Sequence, residues 1–347
     1  MAKVLILRLS SFGDVAMLVP AVYSVALTYP QDRFYVMTRK AFAPLFENLS
    51  FNVNVIPLDL KEKHRGISGF FHVYYKCLAI GISHVADEHD VLRTKILRWA
   101  LMLAGKRVRH IDKGRKEKAA MIGSKVLLPP LKHTVERYSD VLDRLGFVSK
   151  MIYSSILDFI PEKLSENIKT ILENKSGRWI GVSPFAKHDG KVYPCEKMEA
   201  VIERLSWEAG NHIFLFGSGK GESEIAEAWA DRYENVYNII GYTDFNGELA
   251  LIGKMDVMLT MDSANMHIAS LVETPVVSVW GATHPSLGFY GFRQDIENVV
   301  SVDLPCRPCS VYGELLCQRP EKDYACLNLI TADMIISKLN KVLDKKR

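Results

Sequence analysis

The stretch Val257-Met258-Leu259-Thr260-Met261-Asp262-Ser263-Ala264-Asn265-Met266-His267 decides how the rest of the chain is read. Its apolar first half has the length and character of a buried strand, and Asp262 and Ser263 are residue types that end a strand and open a helix. Free backbone N–H groups at such a helix start point where a phosphate-bearing ligand would sit. A second apolar run at 275–280 follows the helix, so the unit reads β-α-β.

Outward from that unit the pattern repeats. Strands are expected at 178–183, 212–216, 236–240, 256–261 and 275–280, with helices at 196–208, 222–233, 245–253 and 263–272 between them. The first half has strand candidates at 3–9, 34–38 and 53–57. A turn covers 10–13, a helix covers 14–29 with a bend or restart at Pro20, and further helical patterns lie at 94–104 and 135–145. Strand and helix alternate without hairpin signals, which predicts an α/β protein with doubly wound parallel sheets. A chain of 347 residues is too long for one comfortable core and suits two domains. The polar stretch 158–177, ending in Asn174-Lys175-Ser176-Gly177, reads as the link between them. The expected domains are 1–160 and 161–347, and the final helix is a candidate to pack back on the first.

With 48% hydrophobic and 24% charged residues, the composition is that of an ordinary globular protein. No apolar run reaches the roughly 18 residues of a membrane span, and the N-terminus runs straight into a strand, so a cytoplasmic protein is expected. A formal charge of +4 does not indicate nucleic-acid binding.

Four short motifs occur in order: Arg8-Leu9-Ser10-Ser11-Phe12-Gly13-Asp14-Val15 with Pro20-Ala21, Lys191-Val192-Tyr193-Pro194, Asp262-Ser263-Ala264-Asn265-Met266-His267-Ile268-Ala269, and Trp280-Gly281-Ala282-Thr283-His284-Pro285. On these the chain resembles the family 9 glycosyltransferases, the ADP-heptose:lipopolysaccharide heptosyltransferases, over nearly its whole length. The resemblance implies the GT-B architecture, two Rossmann-like domains facing a central cleft, with the acceptor on the N-terminal domain and the nucleotide sugar on the C-terminal one. It also implies inversion at the anomeric carbon and no cofactor. The partners it implies are an ADP-heptose donor and a lipid A-core acceptor at the inner membrane surface, served by a monomer.

Asp14 lies in a glycine-containing loop where a strand hands over to a helix. A carboxylate there can take the proton from an attacking hydroxyl, or simply cap the helix. The resemblance makes it the base, with Ser10, Ser11 and Gly13 around the acceptor. A departing nucleoside diphosphate needs a cation or a dipole to meet its growing charge. The resemblance gives that task to Lys191, together with the helix start at Ser263 and Ala264, and places Asp262, His267 and Thr283 at the same donor site. The plain alternatives are a solvated lysine and a core histidine with a satisfied ring.

Glu222 follows the turn Gly217-Ser218-Gly219-Lys220-Gly221, whose spacing and position do not match a dinucleotide fingerprint. The resemblance brings a glutamate here to the nucleoside, and Glu224 competes with Glu222 for that place. Many members carry an acid where this chain has His284, so that residue is unassigned. Cys306, Cys309, Cys317 and Cys326 could hold a structural metal, form disulfides or remain free thiols. Their spacing lacks the second tight pair of a zinc ribbon, and none is catalytic.

Residues 106–118 hold seven lysines and arginines against two acids, with Lys61, Lys63 and Arg65 upstream. An anionic acceptor or membrane surface would favour them, and a solvated loop is the plain alternative. Phe70, Phe71, Tyr74 and Tyr75 either enter a membrane interface or join the core. A heptosyltransferase is expected. A nucleotide-sugar epimerase of the same architecture and a non-catalytic nucleotide-sugar or lipid-binding protein stay open.

Overall fold

The computed structural model describes residues 1–124, 129–159, 166–173, 176–321 and 323–345. Asn174 and Lys175 of the expected link lie outside the described residues.

Contacts divide the chain into two units, one of 1–114 with 132–159 and one of 115–131 with 160–347. The first contains, in order, β1 (Lys3–Leu7), α1 (Phe12–Ala16), α2 (Val19–Thr28), β2 (Arg33–Arg39), β3 (Val53–Leu58), α3 (Gly66–Ile80), β4 (His84–Asp87), α4 (Leu92–Leu103) and β5 (Arg107–His110). After an excursion through α5 (Arg115–Gly123), which belongs to the second unit, α6 (Thr134–Arg144) completes it. The strands form one parallel sheet of order β3-β2-β1-β4-β5.

The second unit runs α7 (Glu166–Glu173), β6 (Arg178–Ser183), α8 (Cys195–Ser206), β7 (Asn211–Leu215), α9 (Gly219–Ala230), β8 (Val236–Asn238), α10 (Phe245–Lys254), β9 (Val257–Met261), α11 (Ala264–Leu271), β10 (Val276–Val279), β11 (Val299–Val300), α12 (Ala325–Asn328) and α13 (Ala332–Asp344). Its parallel sheet has the order β11-β10-β9-β6-β7-β8.

The expected parallel, doubly wound architecture is what the chain adopts. Val4 to Leu7 and all of β9 are buried, as strands covered by helices on both faces must be. The expected helix at 14–29 is two helices. Pro20 stands in the first turn of α2, where its missing N–H costs nothing, and the chain breaks at Met17 just before it. The closing helix α13 sinks Ile335, Ile336, Leu339, Val342 and Leu343 into the core of the second unit, against β9, β10 and α8.

The segment 115–131 departs from the single boundary expected near 160. Leu131 N–H donates to Ser286 O at 2.8 Å, and the Lys118 ammonium lies 3.9 Å over the Phe289 ring. The basic stretch 106–118 is therefore shared by the two units rather than confined to the first.

In each sheet the winding reverses once, between β1 and β4 and between β6 and β9. Crevices beyond the strand ends at such reversals are where doubly wound sheets bind ligands. Asp14 and the donor-side motif both follow a strand that borders a reversal.

Candidate functional site

Beyond β1, Asp14 occupies the third position of α1 and forms a capping box with Ser11. Its Oδ2 accepts from Ser11 N–H at 3.0 Å and Ser11 Oγ–H at 2.7 Å, and it pairs with Arg8 Nη2 at 2.7 Å. Oδ1 has no partner among the described residues, so one carboxylate oxygen is committed and the other is available. The capping role and an accessible carboxylate thus coexist. Burial works to raise the Asp14 carboxyl, but the Arg8 charge and the Ser11 bonds outweigh it and hold the group below its ordinary value.

Arg8 is itself tightly held. It donates to Glu88 O at 2.7 Å and lies 5.8 Å over the Tyr138 ring, while Tyr138 Oη–H donates to Asp14 O at 3.1 Å. Behind β4, Asp87 accepts from the N–H groups of His89 and Asp90 and pairs with Arg98 at 3.0 Å, turning the chain so that His89 Nε2 stands 3.2 Å from Ser10 Oγ. Burial, reinforced by Arg8, pushes the His89 ring down to about 3, so it is a neutral partner for Ser10. Glu88 is fully buried with both carboxyl oxygens lacking a partner among the described residues, and burial beside Asp87 pushes its carboxyl well above its ordinary value. Gly13 is buried within α1. Ser10, Ser11 and Asp14 are thus brought together with Arg8 of the same motif, and His89 is the member that lies outside it.

At the other reversal the groups converge on Asp262. Lys191 Nζ pairs with Asp262 Oδ2 at 2.7 Å, and Thr283 Oγ1–H donates to the same oxygen at 2.7 Å. Both partners are mostly buried, with side chains 15% and 6% exposed, so Lys191 is not a solvated lysine. Its methylenes pack on Gly313, where an added Cβ would lie 2.7 Å from Lys191 Cγ. The Lys191 turn also docks on the loop after β10, with Ala282 N–H donating to Gly190 O at 2.8 Å. Arg307 secures that loop from behind, donating to the carbonyls of Trp280, Gly281, Thr283 and Val302.

Ser263 caps α11, but its N–H is already given to Met261 O at 2.7 Å. The expectation that this N–H joins Ala264 in anion binding is corrected. What remains is the Ala264 N–H, which has no acceptor inside the helix, and the Ser263 hydroxyl, whose buried oxygen has no partner among the described residues. Asn265 Nδ2 ties α11 to Ser183 at the end of β6, at 2.7 Å. His267 is buried one turn on.

Glu222 sits one strand over, its Oε2 accepting Ser218 N–H at 2.7 Å as a cap of α9. Among the described residues it makes no bond to the Lys191 cluster. Glu224 pairs with Lys220 at 3.5 Å and lines, with Gly217, Ser223, Glu227 and Ile240, a concavity of about 670 Å³. His284 Nδ1 accepts Ser286 N–H at 3.2 Å and caps a short turn, which accounts for a residue the motif leaves unassigned.

All six cysteines are free thiols, and among the described residues no group of three or more His, Cys, Asp or Glu side chains is arranged to hold a metal. Burial pushes the Cys326 thiol up to about 11, which keeps it neutral. The arrangement as a whole offers an accessible carboxylate in one unit, and an oriented ammonium at a helix start in the other.

Known proteins of one family match the chain. The model of glycosyltransferase family 9 (heptosyltransferase) matches residues 99–318. Lipopolysaccharide heptosyltransferase 3 of Escherichia coli is 25% identical over 285 residues, 78% of this chain and 81% of that protein. Lipopolysaccharide core heptosyltransferase OpsX of Haemophilus influenzae is 24% identical over 304 residues, 86% of this chain and 83% of that one. Among solved structures, E. coli heptosyltransferase WaaC with ADP superimposes with a TM-score of 0.67 at 19% identity, covering 98% of this chain and 99% of that one. That likeness shows the GT-B fold expected from the sequence.

Proposed function

The chain belongs to glycosyltransferase family 9, the heptosyltransferases, and from that premise we propose that it moves a heptose from ADP-heptose to the inner core of lipopolysaccharide. The observation that carries the donor side is the Lys191–Asp262–Thr283 cluster at the start of α11, beside the reversal of the sheet. An ammonium has three N–H bonds and Asp262 takes one, so Lys191 keeps two for diphosphate oxygens. With the Ala264 N–H and the Ser263 hydroxyl, it meets the charge that grows on the bridging oxygen as the sugar departs.

In this reading the second unit takes the nucleotide sugar, with Glu222 or Glu224 toward the nucleoside and His267 beside the phosphates. The first unit takes the acceptor, and the protein acts as a monomer without a cofactor. The acceptor hydroxyl attacks the anomeric carbon, the bond to the diphosphate breaks, and the proton passes to Asp14 Oδ1 in one inverting displacement. Arg8 keeps Asp14 ionised and fixes its other oxygen, so the carboxylate accepts the proton only once the new C–O bond has acidified the hydroxyl. Ser10, held by His89, and Ser11 orient the acceptor.

Calorimetric titration with ADP, UDP and GDP tests the donor assignment. The reading expects selective ADP binding without added metal, lost in Asp262→Ala. Preference for UDP or GDP changes the donor, and binding of none of them removes the reading.

A further inference from the structure

In the first unit α3 and α4 lie side by side, and each leaves an apolar stripe uncovered. On α3, Ile67, Phe71 and Tyr75 recur at four-residue spacing and are 78%, 48% and 61% exposed. On α4, Leu92, Ile96, Trp99 and Leu103 follow the same helical period and are 72%, 44%, 50% and 87% exposed. The opposite sides of both helices already hold the core through Val73, Cys77, Leu97 and Leu101. The outer stripes are therefore surplus to folding. Between the helices opens a cavity of about 390 Å³, lined by Leu60, Phe70, Val73 and Leu97 among others and reached by His64 and Arg93. Contiguous exposed apolar surface of this kind marks a binding face.

Charge decides what it binds. Between residues 59 and 107, eight lysines and arginines have solvent access, among them Lys61, Lys63, Arg65, Lys76 and Arg93. Only two acids there do, Asp59 and Glu62, since Asp87, Glu88 and Asp90 are buried. Basic residues around aliphatic side chains with Trp and Tyr are the pattern of a helix lying in an anionic bilayer interface. We infer that the α3–α4 face docks this protein on an anionic lipid bilayer, with both stripes sunk into the acyl boundary and a lipid acyl chain entering the cavity between the helices. The inference rests on the proposed function for its lipid-borne acceptor, but the surface itself makes no use of Asp14, Lys191 or Asp262.

The test is partitioning of the full chain onto vesicles of phosphatidylglycerol and phosphatidylethanolamine, compared with phosphatidylcholine alone. Wild type should bind the anionic vesicles preferentially, with a blue shift in fluorescence that Trp99→Phe removes. Phe71→Glu/Ile96→Glu should lose at least tenfold in partition coefficient, since burying a single side chain of this size is worth more than tenfold. Lys61→Glu/Lys63→Glu/Arg65→Glu should lose about tenfold or more at low salt and less at high salt. Trp207→Glu, at a 71% exposed site in the second unit, should partition as wild type does.

All of these sites are exposed, so unchanged circular dichroism is expected and serves as the folding control. Wild type that stays with the supernatant, or a Phe71→Glu/Ile96→Glu variant that binds as well as wild type, overturns the inference. So does light scattering that shows a dimer dissolved by the same double substitution, because the face then belongs to a second copy. Transfer to a deacylated, water-soluble acceptor should survive in the double variant. Partitioning without any transfer by wild type would remove the proposed function and leave the docking face standing.

Discussion

Replacing Lys191 with methionine isolates the charge from the packing. Methionine keeps an unbranched stem against Gly313, so the close contact there is preserved while the ammonium disappears. Asp262, with 6% of its side chain exposed, then retains among the described residues only the Thr283 hydroxyl. Loss of a hydrogen bond to a charged group costs about 1.5–3 kcal/mol, and breaking a wholly buried pair costs about 3–5 kcal/mol. Lys191 keeps some solvent contact and Thr283 still serves Asp262, which favours the lower range. A destabilisation of about 2 kcal/mol corresponds to a fall in Tm of about 4–8 °C for a domain of this size.

Activity should fall further than stability, because the ammonium is counted again in the transition state. Removing one preorganised electrostatic contact of this kind lowers kcat by about 10²–10³. The double variant Lys191→Met/Asp262→Asn separates the two effects. With both charges gone Asp262 is no longer a buried unpaired anion, so much of the Tm returns while transfer and ADP affinity do not. Scanning calorimetry and steady-state ADP release measure the two quantities on the same samples. A single variant with wild-type kcat and ADP affinity would refute the donor-site assignment. Additive losses of Tm in the double variant would refute the coupling.

Asp14→Asn should leave ADP binding unchanged and lower transfer by about 10²–10⁴, the range of general base catalysis, in an acceptor-dependent ADP-release assay. Because Arg8 and Ser11 hold Asp14 below its ordinary value, the acid limb of kcat/KM should lie below the usual carboxylate range, and Arg8→Met should move that limb upward. His89 is depressed to about 3 against 6.5 when unfolded, so the unfolded chain binds the extra proton. Stability should therefore fall as pH drops from 6.5 towards 3, and His89→Gln should flatten that slope in urea titrations. Arg307→Lys should weaken ADP binding by about tenfold although the charge is kept, because an ammonium cannot span the four carbonyls that the guanidinium fork joins; isothermal titration reads this directly.

Much of the second unit is legible because strands such as β9 and β10 are almost wholly apolar, and α9, α10, α11 and α13 open on Ser218, Asp244, Ser263 and Thr331. The strand at 178–183 coincides with β6, and those at 256–261 and 275–280 overrun β9 and β10 by one or two residues at the ends. In the first unit β4 and β5 are four residues each, and β5, Arg107-Val108-Arg109-His110, is a charged edge strand without a periodic signal. The excursion of 115–131 into the second unit is illegible because α5 opens Arg115-Lys116-Glu117-Lys118 and reads as solvated, whereas Lys118 finds an aromatic face. At the site, Asp14, Lys191, Asp262 and Thr283 stand out through their motifs. The supports do not, since Arg307 lies among cysteines and prolines and His89 stands inside the buried acidic run Asp87-Glu88-His89-Asp90, places where only tertiary contact assigns a role. The loss of the Ser263 N–H to Met261 is likewise a matter of local backbone geometry that residue types do not encode.

The central claim is sugar transfer from ADP-heptose to a core acceptor. Its most direct measurement is ADP release from ADP-heptose with and without a heptose-deficient lipopolysaccharide core, with mass spectrometry and anomeric NMR of the product. The account predicts acceptor-dependent release, a core heavier by one heptose and inverted configuration, all lost in Asp14→Asn. Donor turnover that ignores the acceptor, or a product with retained configuration, would contradict it.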